Sequence, residues 1–329
     1  MRFERFSVDL ARPLVTAAGP IESRTGFLVR ASGGLGEATP LPGWTESPAD
    51  CRRALERGSP DDSTPAARHG VSLARADAAA RDDGVRLCDA LAASGTAPSD
   101  AVAVNATVGD GSVEETADAV RSAVEDGYRC VKLKVGARDP DEDEKRVRAA
   151  RDAAGDGVEL RADANGAWDG GVAERMLDVA ADLDYSYVEQ PLPAGDLAGH
   201  AALRGRGVGV ALDESLATAG VSAVLDADAA DVLVCKPMVL GGPDRTLAAV
   251  RRAREAGVAS VVTTTVDAAV GRLGALHVAA AVPDAPACGL ATGSLLATDL
   301  VPDPTPVADG SIRIPDGPGL GGGVESLYL

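Results

Sequence analysis

From about residue 101 the sequence settles into an alternation of short apolar runs and longer alanine-rich stretches, and nothing else in it restricts the fold as strongly. The runs are 101–108, 130–135, 158–162, 185–188, 208–212, 231–235, 259–264 and 288–292. Each is too short for a buried helix and nearly continuous in apolar residues, the pattern of a strand covered on both faces in a parallel sheet. The stretches between them, such as 113–125 and 245–256, set Asp, Glu and Arg on one face and alanine on the other. That is the pattern of an amphipathic helix. Eight such units in roughly 190 residues predict an α/β fold with a closed (β/α)8 barrel. An open doubly wound sheet is the alternative, but no GxGxxG follows the first run.

The first 97 residues follow another rule. Residues 3–10 and 25–31 alternate apolar and polar side chains, as strands of an antiparallel sheet do. Between them 16–24 reads as a polar loop, and 33–37 as the turn into a third strand. Residues 48–57 and 64–80 have helical periodicity with N-terminal Ser, Pro and Asp signals. This is an α+β module. The tail beyond 302 is rich in Gly and Pro and is expected to return to it. The expected division is therefore 1–97, a capping module; 98–301, the barrel; and 302–329, the returning tail.

At 329 residues and 45% hydrophobic, the chain can bury a large core. No apolar run reaches about 18 residues and the start lacks a signal-peptide pattern, so a soluble cytoplasmic protein is expected. The five cysteines (Cys51, Cys88, Cys130, Cys235, Cys288) are scattered, as buried reduced thiols would be. A net charge of −18 argues against nucleic acid and anionic membrane as partners. A small-molecule partner remains, and a homo-oligomer is compatible with the composition. The acid is spread along the chain, which suggests a salt-adapted, halophilic surface whose self-repulsion salt would screen.

Against that background the cations are informative. The chain has four lysines and twenty-eight arginines. Lys132 and Lys134 sit two apart in one apolar run, hence on one strand face, and Lys236 ends another run. Lysine, unlike arginine, can be tuned to act as a base. Five successive runs, the second to the sixth, end in an ionisable residue: Lys134, Asp163, Glu189, Asp213 and Lys236. In a barrel these project into one mouth, at the face where catalysis sits. A lone strand-end Asp is often a helix cap, but capping does not account for Asp, Glu and Asp in sequence between lysines. Three converging carboxylates make a hard oxygen site, suited to Mg²⁺ first and Mn²⁺ second, with zinc disfavoured. His69, His200 and His277 fall in helical or loop stretches and read as structural or surface residues.

These segments resemble the enolase superfamily over nearly the whole chain. The matching residues are Lys132-Leu133-Lys134, Arg161-Ala162-Asp163-Ala164-Asn165 with Trp168, Val188-Glu189-Gln190-Pro191, Asp213-Glu214-Ser215 and Lys236. The resemblance implies that Asp163, Glu189 and Asp213 bind Mg²⁺, that Lys134 and Lys236 flank a small carboxylate substrate, and that Lys132 assists the base. It implies removal of a proton α to a carboxylate, with the metal stabilising the charge that develops. A lysine base must lie well below its free pKa of about 10.4, pushed down by neighbouring positive charge. The lysine pair places the chain with muconate cycloisomerase-like members. Mandelate racemase relatives use a His at the seventh strand, where this chain has Thr263-Thr264-Thr265. Dipeptide epimerases carry a D-x-D at the eighth strand, and here no acid follows until Asp299. Residues 36–44, 263–271 and 289–294 are similar to o-succinylbenzoate synthase, a dehydratase of menaquinone biosynthesis. By that resemblance Arg161, Asn165, Thr264, Thr265, Gly293 and Ser294 would contact substrate, with 16–24 and Trp44 covering the mouth. N-succinylamino acid racemase, dipeptide epimerase and muconate cycloisomerase activities stay open. So do a Schiff-base aldolase using Lys236 and a non-catalytic metal-binding barrel.

Overall fold

In the computed structural model, which describes residues 1–16 and 19–329, the chain opens with a three-stranded antiparallel sheet. Its strands are β1 (Arg2–Thr16), β2 (Gly19–Ala31) and β3 (Gly34–Ala38), in that order across the sheet. Ser32 and Gly33, at φ 55° and 86°, make the two-residue turn between β2 and β3, a geometry whose twist suits a hairpin. The polar loop expected at 16–24 is mostly strand: Leu14 pairs with Ile21 and Val8 with Arg24 across a register shift between Asp9 and Leu14. Backbone pairing needs no apolar side chains, so a polar stretch can extend a hairpin. Residues 17 and 18, in the middle of that expected loop, lie outside the described residues.

Two helices cover this sheet, α1 (Pro48–Arg57) and α2 (Pro65–Asp82), followed by the short α3 (Leu87–Leu91). Ser47 caps α1 by accepting a hydrogen bond from the Asp50 amide, and proline opens both long helices. Helix α2 lies close on β3 because Gly34 and Gly36 lack side chains. A Cβ on either would sit 2.0 Å from a carbonyl oxygen of α2.

The barrel follows in chain order: β4 (Ala101–Ala103), β5 (Ala106–Val108), α4 (Val113–Glu125), β6 (Cys130–Lys134), α5 (Pro140–Ala154), β7 (Glu159–Asp163), α6 (Gly170–Asp182), β8 (Tyr185–Glu189), α7 (Leu197–Leu203) and β9 (Gly209–Leu212). Then come α8 (Glu214–Thr218), α9 (Gly220–Asp226), β10 (Val232–Cys235), α10 (Pro237–Leu240), α11 (Pro243–Glu255), β11 (Ala259–Val262) and α12 (Ala269–Ala280). Strands β5 to β11 form one seven-stranded sheet in sequential order, with every pair parallel. Side-chain caps start several helices: Ser112 and Glu115 form a reciprocal capping box on α4, and Asp169 caps α6.

The eighth apolar run, 288–292, does not form a strand of its own. It closes the ring through two parallel bridges, Thr263 to Gly289 and Val104 to Cys288. A Cβ on Gly289 would lie 2.6 Å from the Thr263 hydroxyl, and after Thr292 the chain turns into a 3₁₀ segment, Gly293–Leu295. The first run is likewise split, because β4 turns aside to pair with the tail. The tail strands β12 (Val307–Ala308) and β13 (Ser311–Arg313) form an antiparallel sheet with β4. The last residues then reach the first module. Leu320 N–H and Tyr328 O–H both donate to the buried Asp77 carboxylate of α2, and Arg30 donates to the Leu327 carbonyl.

Period-two alternation sorts the barrel side chains. Val131, Leu133, Leu160, Ala162, Val188, Val210, Leu212 and Leu233 pack outward in one core with the helices. Tyr187, Ala211, Val234 and Val261 make a smaller cluster of their own, on the opposite, inner face. Lys132, Lys134, Arg161 and Asp163 share that inner face by the same period. All five cysteines are free and buried. No helix among the described residues is long and apolar enough to cross a membrane.

Candidate active site

Lys134, Asp163 and Glu189 are the last residues of β6, β7 and β8, and they are register neighbours across the sheet. Asp213 and Lys236 immediately follow β9 and β10. The five ionisable ends therefore line one rim of the barrel. Lys132 lies on the same face as Lys134 but one layer deeper, 14% exposed against 36%. The carboxylates of Asp163, Glu189 and Asp213 are nearly inaccessible, at 1%, 1% and 6%.

Buried anions need partners, and the lysines supply them. Lys132 Nζ lies 2.8 Å from Glu189 Oε2 and 3.2 Å from Asp163 Oδ2, bridging the two. Lys134 Nζ is 2.7 Å from the same Asp163 oxygen, and Lys236 Nζ is 2.6 Å from Asp213 Oδ2. Burial pushes the Glu189 carboxyl up to about 7, with repulsion from Asp163 adding to it, and pushes Asp213 up to about 6. Burial acts on Asp163 in the same sense, but Lys132 and Lys134 outweigh it and hold its carboxyl well below the usual range. Burial would lower the Lys132 ammonium, yet Glu189 and Asp163 keep it above its ordinary value. Among the described residues no three His, Cys, Asp or Glu side chains surround one point as arranged, since each carboxylate turns toward an ammonium. Asp163 and Glu189 nonetheless converge on a single cation, and all the donors are hard oxygens, the set that suits a hard divalent ion.

A second layer holds these groups. Asn165, in the left-handed region at φ 46°, accepts from Lys134 Nζ at 2.8 Å and donates to Glu214 Oε1 at 2.9 Å. Gln190 is fully buried at φ 43°. Its Oε1 accepts from the amides of Asp213 and Ser215, while its Nε2 donates to Leu192 O and Ser215 Oγ. It thereby pins the end of β8 to the end of β9. Beneath Lys134, the buried pair Arg146–Asp143 ties three segments together. Arg146 donates to the carbonyls of Lys134 and Gly109, and Asp143 accepts from Gly136 N–H. Sequence reasoning did not single out Gln190 as a tie, nor Arg146 and Asp143. The last two carry a signal: they sit three apart on α5, on the stripe that also buries Val147 and Ala150. Gln190 lies in the matching Val188–Pro191 motif, but its tie to Asp213 and Ser215 spans 23 and 25 residues and leaves no local pattern.

The expected substrate contacts divide. Asn165 touches Lys134. Thr264 and Thr265 follow β11 at the same rim, both buried; Thr264 Oγ1 is 3.1 Å from Thr292 Oγ1, and Thr265 donates to Asp267. Gly293 and Ser294 lie in the 3₁₀ segment after the eighth run, and a Cβ on Gly293 would meet Asp303 at 2.8 Å. Arg161 is placed otherwise. Its guanidinium donates to Glu159 Oε1 and Ala287 O, at the starts of the strands, and lies 4.9 Å from the Tyr187 ring centroid. Alternation puts it on the inner face, but one layer below Asp163 and pointing away from the rim, so it fills the barrel floor.

The first module also reaches the rim. Trp44 covers Lys236, with Nζ 3.5 Å from its ring centroid. Asp9 and Leu10 of β1 join the segment after the eighth run through Thr298, Ala297 and Leu296. Val266 stands at φ 59°, a position that costs a β-branched residue on the order of 1–3 kcal/mol. The three histidines are fully buried and bonded within the fold, His69 to Glu37 O, His200 to Asp196 O and His277 to Cys88 N–H, so none is a surface residue.

The chain matches the family described as enolase C-terminal domain-like over residues 115–325. It is 37% identical over 306 residues to an o-succinylbenzoate synthase of Thermobifida fusca (strain YX), covering 89% of this chain and 82% of that protein. Among solved structures it superposes on a muconate lactonizing enzyme from Pseudomonas fluorescens complexed with muconolactone, with a TM-score of 0.85, 26% identity, and coverage of 100% of this chain and 97% of the other. A dipeptide epimerase from Methylococcus capsulatus, complexed with Mg and the dipeptide L-Arg-D-Lys, gives a TM-score of 0.84 at 26% identity, over 97% and 98% of the two chains.

Proposed function

The chain belongs to the enolase superfamily, and within it we propose a dehydratase of the o-succinylbenzoate synthase type, working in the cytoplasm on a step of menaquinone biosynthesis. The reaction would convert 2-succinyl-6-hydroxy-2,4-cyclohexadiene-1-carboxylate to 2-succinylbenzoate and water. The observation that carries the metal-assisted proton abstraction in this reading is the rim itself. Two ammonium groups, Lys134 and Lys236, stand four strands apart in a ring of eight positions, with three buried carboxylates between them. The similarity to the Thermobifida fusca synthase supports the choice within the family.

Asp163, Glu189 and Asp213 would hold Mg²⁺, with Mn²⁺ as the second candidate. The donor set fits: it is all oxygen and buried, and burial with repulsion from Asp163 pushes Glu189 up to about 7. The bound ion would supply a Lewis acid that stabilises negative charge developing on the substrate carboxylate.

The chain's own groups divide the remaining work. Lys134, the more exposed of the β6 pair, takes the proton α to the carboxylate. It then gives that proton to the hydroxide leaving from the same face, so water departs and the ring becomes aromatic. Asn165 orients the Lys134 amine, and Lys132 holds Asp163 and Glu189 in place from below. Lys236, with its Nζ over the Trp44 ring face, stabilises the developing anion electrostatically. Asp299 is committed elsewhere. It pairs with Arg272 and accepts from the Ala269 amide at the start of α12, which disfavours a substrate with a free α-ammonium such as a dipeptide. Residues 1–97 with the tail 302–329 would act as the cap over a barrel spanning 98–301.

A second reading, N-succinylamino acid racemase, is favoured by the two facing lysines, which could remove and return a proton on opposite faces. One assay separates the two. The protein is incubated with the cyclohexadiene carboxylate, Mg²⁺ and high salt, and aromatic product is followed by absorbance. A parallel reaction in D₂O follows α-deuterium entering an N-succinyl amino acid. Formation of the aromatic product with slow exchange supports the synthase; exchange without aromatic product supports the racemase. Full activity in excess EDTA would sink both.

A further inference from the structure

The segment after the seventh barrel strand, 263–268, carries Thr264 and Thr265 at the rim and is gripped from both sides by the first module. Arg24 of β2 is 97% buried, though it bears a charge. It donates to Val266 O at 3.3 Å, and to Thr39 O and Pro40 O at 2.9 and 3.2 Å. Glu37 of β3 is fully buried and receives three donors: Thr39 Oγ1 at 2.5 Å, Ala268 N at 2.8 Å and Gly271 N at 2.7 Å. The last two amides open α12, where a carboxylate satisfies unpaired N–H groups and meets the positive end of the helix. Asp267, buried between the two grips, accepts from Thr265 Oγ1 at 2.5 Å. In the middle stands Val266 at φ 59°. Backbone of this kind persists only where the surroundings over-determine it, and here the surroundings belong to another part of the chain.

We propose that Arg24 and Glu37 are positioning residues: acting from the first module, they hold 263–268 in its strained conformation and so set where Thr264 and Thr265 meet the substrate. The functional half of this rests on the dehydratase reading above; the mechanical half does not. Two charged residues buried for packing alone would give additive losses. A clasp that holds strain gives coupling to Val266, because glycine adopts φ 59° without cost.

The experiment uses the full chain and three variants: Arg24→Met, Val266→Gly, and the two combined. Amide hydrogen exchange is read over 263–268, with β6 to β8 as internal reference, and kcat and KM are measured on the cyclohexadiene carboxylate. Arg24→Met is expected to speed exchange over 263–268 about tenfold while β6 to β8 keep their rates. It should also lower kcat/KM about tenfold, mainly through KM, since the lysines and carboxylates are untouched. In the Val266→Gly background the same change should cost less than threefold in both readouts. Equal losses in both backgrounds, or unchanged exchange over 263–268, overturn the proposal. If Arg24→Met does not fold, Glu37→Gln serves instead: its amide offers one acceptor oxygen where the carboxylate offers two, and the same coupling is expected. If the wild-type protein does not turn over this substrate, the dehydratase reading fails, and the exchange measurements still decide whether the clasp exists.

Discussion

The rim of this barrel is built in two ways. From β6 to β10 it is made by strand ends, and the chemistry sits on the strands themselves: Lys134, Asp163 and Glu189 are terminal strand residues, with Asp213 and Lys236 one step beyond. After β11 and the eighth run the rim is loop, and it is held from far along the chain. Arg24 and Glu37 reach 263–271 from more than 230 residues away. Asp9 binds Thr298 and Ala297, and Arg272 binds Asp299 and Asp303. The difference suggests a division of labour. Reacting groups sit on the stiffest elements, where a small misplacement is most costly, while groups that face the variable part of a substrate sit on loops that another module can adjust.

Breaking the strand-borne half should have the largest effect. Lys134→Arg keeps a cation but removes the usable base, so kcat should fall by at least the ~10²–10⁴ typical of general acid–base catalysis, and by more if both proton transfers fail. Lys236→Arg should retain more activity than Lys236→Ala. If Lys236→Arg is dead while Lys134→Arg works, the roles are reversed. Equal death of both Lys236 variants would mean that Lys236 transfers a proton.

Glu189→Gln should abolish Mg²⁺ binding by calorimetry, and with it activity, while circular dichroism shows the fold intact. Retained metal affinity would remove Glu189 from the donor set. The support beneath the strands comes next. Arg146→Met leaves Asp143 buried without its partner and frees the Lys134 carbonyl. Breaking a buried pair of this kind costs roughly 3–5 kcal/mol, which denaturant unfolding would show. A loss under 1 kcal/mol would mean that α5 does not support Lys134. The smallest effects should come from the first module. Trp44→Ala, and Ile21→Ala on β2, should lower kcat/KM about tenfold, near 1.4 kcal/mol in transition-state terms, with little change in stability. Wild-type kinetics in both would confine the module's influence to the segment after β11.

Much of this was readable from local pattern. Period two put Lys132 and Lys134 on one face. The regular gaps between Lys134, Asp163, Glu189, Asp213 and Lys236 placed them on one rim, because each βα unit returns the chain to the same end of the sheet. Alternating apolar runs specified a parallel barrel, and Ser47 with Pro48 marked the start of a helix. These are properties of a residue and its near neighbours, so sequence by itself determined them. Tertiary structure alone decided the rest. Arg161 shares the inward face with Asp163, yet its length lets the guanidinium reach Glu159 and Ala287 on the floor. The polar 16–24 stretch became mostly strand because β1 offered it backbone partners. The eighth run shrank to two bridges where Gly289 meets Thr263. The tie of Gln190 to Asp213 and Ser215, and the reach of Glu37 and Arg24 to 266–271, depend on amides and carbonyls many residues away. A hydrogen bond between distant segments leaves no period and no spacing in either of them, and exists only once the fold has closed the loop between them.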